Sequence, residues 1–302
     1  MWGFSDTCAY DWSGWKGSLL QTISPQARRI LAKLGETPQR LAKRLPRRTK
    51  LLIVHLDISD NEPFIANAAE FARSLSERGV AVLNCLEADI RKRTVQACCK
   101  RYGLPSVTAT PEGDADELVI VKTDLNSGGT REKQLSADHG GRFKVATRRG
   151  LVNGPSDYFV KKRADIGAEV WCDPELVVER YMTNPLGRFF RVYVAGKAIV
   201  ISEAYDKTAV KRMGGDIRRH NYWLWREGES LRGHSGSNPD LPPALLSTAA
   251  IFIHRFRLDY GALDVVENEN GEFHVVDVNK TPYWGNEQQP GLIEHLRLGL
   301  CA

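Results

Sequence analysis

Cysteine is scarce in this chain and never paired in sequence at metal-ligand spacing. Six occur in 302 residues, at Cys8, Cys85, Cys98, Cys99, Cys172 and Cys301, with no CxxC. That excludes a zinc site built on cysteine pairs and makes reduced thiols in a cytoplasmic protein the simplest reading. Long apolar runs are also missing. The longest, such as LLIVHL from Leu51 and AIVI from Ala198, are strand-sized, far short of the ~20 residues that span a bilayer. The opening MWGFSDTCAYDWSGWKG has no charged segment followed by an apolar core, so it is not read as a secretory signal. GxGxxG and GK[S/T] are absent, which removes the dinucleotide fingerprint and the P-loop. No nucleophile–base pair stands out, and His55, His139 and His254 read as structural or surface residues. The net charge of +5 is too small to imply nucleic acid.

What is present is an ordinary globular composition, 42% hydrophobic and 26% charged, long enough for about two domains. Residues 1–48 read as a basic N-terminal extension, with one or two short helices over SPQARRILAKLGETPQRLAKRL, Ser24 as cap and Pro25 at the first turn. Its cations have only Glu36 against them between residues 28 and 50 and suit a solvated helix face or a tether. From Thr49 the pattern becomes strand (LLIVHLD), helix capped near Asp60 or Asn61 and ended by Gly79, then strand (VAVLNC). That order predicts a short βαβ unit over 49–88 with a parallel sheet. A helix over DIRKRTVQACCKRYG opens the next region, 89–182, which continues with the strands ELVIVKTD and ELVVERYM. The last region, 183–302, holds a hairpin turning at Gly196-Lys197, a polar Gly-rich loop over 211–240, a helix from Pro242 or Pro243, a second hairpin, and a final helix near Gly291–Leu298. Runs of strands and helices in this arrangement give an α+β (α/β) fold class.

The second hairpin is the most informative segment. Ala262–Val266 and Phe273–Val278 flank ENENG, with Asn270-Gly271 as turn. Asp277 and Asn279 are two apart and share a strand face, and the turn brings Asp264 opposite them. Two carboxylates and an amide oxygen, with positions left for phosphate oxygens, suit Mg²⁺. A carboxylate inside VVDVN is costly unless paired or metal-bound.

Other segments add single groups. Lys122 ends a strand just before Ser127, Gly128 and Gly129, a turn whose N–H groups can approach phosphate closely. Glu179-Arg180-Tyr181-Met182 ends a strand whose backbone can meet an adenine edge. Arg191, in GRFFRVYV, suits a developing anionic charge. Lys207, Lys211, Arg212, Arg218 and Arg219 surround Gly214-Gly215 in a segment that suits equally a loop closing over an anionic substrate and an exposed loop made soluble by its charge.

The order of these segments, from Lys before a Gly-Gly loop through VVERYM and RVYVAGK to DVNKTP, resembles the ATP-grasp superfamily, its RimK-like members in particular, over about residues 50–290. The resemblance implies two α+β lobes holding ATP, preceded by the short βαβ domain. It implies Asp264, Asp277 and Asn279 as ligands of two Mg²⁺ ions, with Mn²⁺ as a substitute. It implies phosphate contacts from Lys122 and from Arg91 or Lys92, an adenine hinge over Glu179–Met182, and Arg191 at the transferred phosphoryl group. The ribose contact stays unassigned, because Phe189 and Phe190 stand where the family often has an acid. The activity implied is an ADP-forming carboxylate–amine ligase acting on an anionic small molecule or peptide, as a homodimer, with no nucleic acid and no membrane span. The alternatives are a kinase on the same scaffold and a nucleotide-binding regulatory protein that docks through its basic extension.

Overall fold

The structure is a computed structural model and describes residues 2–5, 28–31, 38–55, 57–60, 67–87, 89–138, 152, 157–184, 186–206, 208, 218–234, 240–282 and 290–300. The described part is α+β, with three separate sheets.

The first sheet is parallel, in the order β2 (Arg28–Leu31), β1 (Trp2–Ser5), β3 (Leu51–Ile53), β4 (Ala81–Leu83). The strand–helix–strand expectation holds for β3, α2 (Ala68–Ser76) and β4. The helix begins later than expected: Asn67, not Asp60 or Asn61, accepts from the Glu70 N–H as its cap. Leu52 of β3 packs with Phe71 and Leu75 of α2, while Leu51 and Ile53 face a different core. The N-terminal residues differ from expectation. Helix α1 (Pro38–Arg44) forms, but Arg28–Leu31 is a strand, and it and β1 complete the sheet. Four-residue strands with parallel partners outweigh the helical spacing of Ile30, Leu31 and Leu34, because sheet pairing is a tertiary effect that local periodicity does not report.

The second sheet is antiparallel, in the order β6 (Phe159–Lys162), β5 (Leu118–Thr123), β7 (Leu176–Arg180). Val119, Val121, Leu176 and Val178 bury one face of it against Ile166 and against Val170 of the one-turn helix α5 (Ala168–Trp171). Helix α3 (Lys92–Arg101) precedes this sheet, and helix α4 (Thr130–Asp138) follows β5 through the tight turn Asn126–Gly129.

The third sheet has six antiparallel strands in the order β11 (Arg232–His234), β10 (Arg218–Arg226), β9 (Ala198–Tyr205), β8 (Arg188–Ala195), β12 (Tyr260–Glu267), β13 (Phe273–Asn279). Strand β10 corrects the expectation of a loop over 211–240. Its Tyr222, Trp223 and Leu224 are all buried, since both faces are covered there, so no clean polar alternation marks the strand. Phe190, Val192, Ile201, Leu263, Val265 and Val275 bury one face under helix α6 (Pro243–Phe256) and α3. On the other face Tyr193, Val200, Tyr222 and Tyr260 pack with Leu292 and Leu296 of helix α7 (Pro290–Gly299) and with Leu51 and Ile53 of β3. Among the described residues no helix is long and apolar enough to cross a membrane.

Candidate active site

The site lies where β5 and β7 face β8, β12 and β13. The β12–β13 ladder sets Asp264 directly opposite Asp277. A β-bulge follows at once: the register passes from Asp264↔Asp277 to Val265↔Val275. The unpaired residue re-aims the strand beside the two carboxylates, as bulges near functional sites do. Asn279 shares the face of Asp277, and its Oδ1 accepts from the Thr281 N–H at 2.7 Å and from its Oγ1 at 3.3 Å. Gly261 is needed behind it, since φ is +156° and a Cβ there would stand 2.6 Å from the Asn279 carbonyl oxygen.

Cations surround the pair. Arg191, opposite Asp264 on β8, donates from Nη1 to Asp264 Oδ1 at 3.1 Å. Lys92 Nζ lies 3.8 Å from Asp277 Oδ1 and donates to the Leu125 carbonyl at 3.1 Å. Asp124 fixes this lysine by capping α3: its carboxylate accepts from the Arg93 N–H at 2.9 Å and its carbonyl from the Lys92 N–H at 3.0 Å. Lys92, not Arg91, therefore enters the site. Arg91 turns away to Asp89, with Nε 2.9 Å from one carboxylate oxygen and Nη2 2.7 Å from the other. Lys122 Nζ is 2.6 Å from Glu179 Oε2 across the β5–β7 pair.

Burial dominates the electrostatics. It raises the Asp264 carboxyl above its usual value, Arg191 pulls it back, Asp277 pushes it up again, and Lys122 reaches it from the facing sheet. Burial opposes the charges on Lys92 and Arg191, yet both sit above their usual values because Asp277 and Asp264 stand beside them. At the site, Asp277 Oδ1, Glu179 Oε1 and Arg191 Nε are buried without a hydrogen-bond partner among the described residues. An unmatched carboxylate oxygen opposite a second carboxylate is what a divalent cation satisfies, so the residues present fit one. Among the described residues no group of three or more His, Cys, Asp or Glu forms that could hold a metal, so an ion bound here would draw on Asp264, Asp277 and the Asn279 amide.

The turn Asn126–Gly129 closes one side. Ser127, Gly128 and Gly129 have φ of 48°, 73° and 67°. Asn126 ties the turn down, donating from Nδ2 to the Val278 carbonyl at 3.1 Å and from N–H to Ser59 Oγ at 2.8 Å. At the other end the Arg180 N–H bonds the Val107 carbonyl, the Tyr181 N–H bonds the Leu118 carbonyl, and the Arg180 guanidinium bonds the Ser106 carbonyl. Tyr181 and Met182 are half-buried beyond that point. Lys207, Lys211 and Arg212 lie outside the described residues, as do the side chains of Arg218 and Arg219.

Sequence reasoning missed the ties to the N-terminal sheet. Lys280, directly after Asn279, is buried with its Nζ 3.4 Å from Glu87 Oε2, and Thr281 Oγ1 donates to Asp57 at 2.9 Å. Burial raises both the Glu87 and Asp57 carboxyls, with Lys280 and Thr281 respectively lowering them in part.

The chain is similar to solved ATP-grasp enzymes. A D-alanine–D-alanine ligase from Bacillus anthracis is 12% identical, with 99% of this chain and 94% of that one covered and a TM-score of 0.47. The ATP-grasp ligase PsnB, solved with a minimal precursor, Mg and ADP, is 13% identical over 99% and 96% at 0.48. A RimK-domain ATP-grasp protein from Sphaerobacter thermophilus is 15% identical over 99% and 97% at 0.44. No family model matches the sequence, and no curated protein does. At these scores the weight of any functional reading falls on the residues of the site.

Proposed function

We propose that this chain is an ATP-grasp enzyme that joins a carboxylate to an amine and releases ADP and phosphate. One observation carries the reading: two carboxylates face each other on a hairpin, the buried cations Arg191 and Lys92 stand against them, and Lys122 acts on Asp264 from the facing sheet. The region of Asp264 and Asp277 supports a divalent cation, and the Lys92, Lys122 and Arg191 charges support a triphosphate beside it. Mg²⁺ held by Asp264, Asp277 and Asn279 would neutralise phosphate oxygens. The edge past Arg180 is where the Tyr181–Met182 backbone would meet adenine.

The step the residues favour needs charge neutralisation and in-line positioning more than a protein base. A substrate carboxylate oxygen attacks the γ-phosphorus, and the bond from that phosphorus to ADP breaks with the electron pair leaving on ADP. The amine then attacks the acyl carbon, phosphate departs, and the amine proton is lost to solvent. Arg191 holds charge at the transferred group, Lys122 and Lys92 hold the phosphates, and the turn Asn126–Gly129 covers them.

The test is turnover with Mg-ATP against a mixed pool of amino acids, small peptides and phosphorylated polyols, read by mass spectrometry beside Asp277→Ala. ADP plus a product lighter by water than its summed substrates supports the ligase. A product heavier by a phosphoryl group would replace it with a kinase. No ADP from the whole pool would count against both and favour a nucleotide-binding protein.

A further inference from the structure

The ladder of the six-stranded sheet aligns more than the site above uses. Asp277 faces Asp264, Asp264 faces Arg191, Arg191 faces Ser202, and Ser202 faces Tyr222, each as direct partners on neighbouring strands. Direct partners on antiparallel strands project to the same side. One transverse row therefore runs from the carboxylate pair through Arg191 to a serine hydroxyl.

Ser202 is out of place by composition. It sits on a central strand reading AIVISEAY, and it has no solvent exposure. Its Oγ has no hydrogen-bond partner among the described residues, and neither does the Nε of Arg191 across the ladder. Elsewhere on the guanidinium, Nη1 donates to Asp264 and Cζ lies over the Tyr193 ring at 5.6 Å. Two buried donors thus stand as ladder partners on one face with no acceptor among the described residues. Buried donors are almost always matched, so an adjacent unmatched pair calls for a partner that the described residues do not supply, such as water, an ion or a substrate group. The group that matches an N–H of a guanidinium and an O–H together is an anionic oxygen.

We propose that Ser202 and Arg191 Nε together hold the carboxylate of the acyl-donor substrate, and then the same oxygen as charge builds on it during attack by the amine. This rests on the ligase reading. The location agrees with the chemistry: Arg191 stands between Asp264, where the phosphate end of the reaction lies, and Ser202, on the side away from the carboxylate pair. A carboxylate placed there has one oxygen toward the transferred phosphoryl group and the other on Ser202. The serine is a specificity element for a carboxylate donor, and it has no part in holding the nucleotide.

Hydroxylamine makes this testable without knowing the natural amine, since it attacks the acyl phosphate and releases phosphate and a hydroxamate. Wild type, Ser202→Ala and Ser202→Thr are incubated with Mg-ATP, hydroxylamine and a pool of amino acids and small dicarboxylic acids, and hydroxamates are identified by mass spectrometry. The carboxylate selected is then titrated, and Mg-ADP binding is measured by calorimetry for all three proteins. The expected result is a KM for that carboxylate raised about tenfold in Ser202→Ala, the size of one lost hydrogen bond. Ser202→Thr, which keeps the hydroxyl, is expected near wild type, and Mg-ADP affinity is expected unchanged throughout. An unchanged carboxylate KM in Ser202→Ala, with hydroxamate still forming, overturns the role of Ser202 and leaves the ligase standing. Weakened Mg-ADP binding in Ser202→Ala overturns it too, by placing the hydroxyl at the nucleotide. Hydroxamate from no carboxylate, with Mg-ADP bound, removes the ligase reading itself and this assignment with it.

Discussion

The two faces of the six-stranded sheet are built by the same strands and do opposite work. On one face Phe190, Val192, Ile201, Leu263 and Val265 pack beneath helix α6, and the buried Glu203 beside Phe190 is paired with Arg188. On the other, single-residue offsets place Asp264, Arg191 and Ser202 in one row. Alternation alone separates them: Leu263 and Asp264 are neighbours in sequence and lie on opposite faces. The apolar face contributes stability through buried area, roughly 25 cal/mol per Å². The polar row on the other face costs stability, since its charges are desolvated and Asp277 Oδ1, Arg191 Nε and Ser202 Oγ lack hydrogen-bond partners among the described residues. A sheet that tolerates this must hold the polar row rigid from behind, and the apolar face does so.

The largest effect that would break this contrast comes from exchanging one residue on each face. Asp277→Asn is expected to cut ADP formation by about a thousandfold or more, while shifting thermal unfolding little, because relief of its repulsion with Asp264 offsets the lost ion pair with Lys92. Leu263→Ala is expected to do the reverse. It should lose about 2–5 kcal/mol in urea unfolding and keep the KM of whatever fraction stays folded. A large stability loss in Asp277→Asn would mean that its carboxylate is structural, and the functional reading of the polar face would fall.

How much of this could be read from sequence differs between the two faces. Asp264, Asp277 and Asn279 were legible because a carboxylate within a Val-rich run violates the local pattern. The bulge after Asp264 was not, since nothing in VVDVN marks which valine goes unpaired. Lys92 could not be told from Arg91 by composition. The choice is made by Asp124, which lies far along the chain and caps α3 so that the lysine points inward. Ser202 was passed over because one serine in AIVISEAY reads as a tolerated small residue, and only the ladder shows what stands opposite. Strand β2 and strand β10 were misread for a related reason. Their pairing partners, not their own periodicity, make them strands.

A smaller effect sharpens the contrast at the covered end of the polar face, where the His55 and Tyr260 rings lie 5.9 Å apart. Burial lowers the His55 pKa to about 3. The sign follows from linkage. The unfolded chain takes up a proton near the ordinary histidine value of 6.5 and the folded one does not until about 3, so stability is full above the unfolded value and lost as pH falls through that window. The slope expected from this one group is about 1.4 kcal/mol per pH unit. Urea unfolding of wild type and His55→Leu at a series of pH values between 7 and 4 measures it, and the slope should be shallower by that amount in the variant. Parallel profiles would mean that the ring is charged in the folded state.

The smallest effect concerns the turn that faces the polar row from the other lobe. Gly129 has φ +67°, and a Cβ there would meet Leu125 Cδ1 at 2.6 Å. The obstructing atom is the end of a flexible side chain, so crowding is relieved by a rotamer change, and the cost that remains is conformational. Gly129→Ala is therefore expected to lose about 1 kcal/mol of stability. The functional loss should be separate from that. Three consecutive residues at positive φ aim the backbone of this turn, and Asn126 fastens it to Val278, next to Asn279. A turn that relaxes at Gly129 changes the angle of its N–H groups without disturbing Asp264, Asp277 or Arg191. Mg-ADP affinity measured by calorimetry should fall several-fold while the carboxylate KM stays the same. A variant that lost carboxylate affinity and kept nucleotide affinity would place the turn at the acyl-donor end, and the division of labour between the two lobes would have to be redrawn.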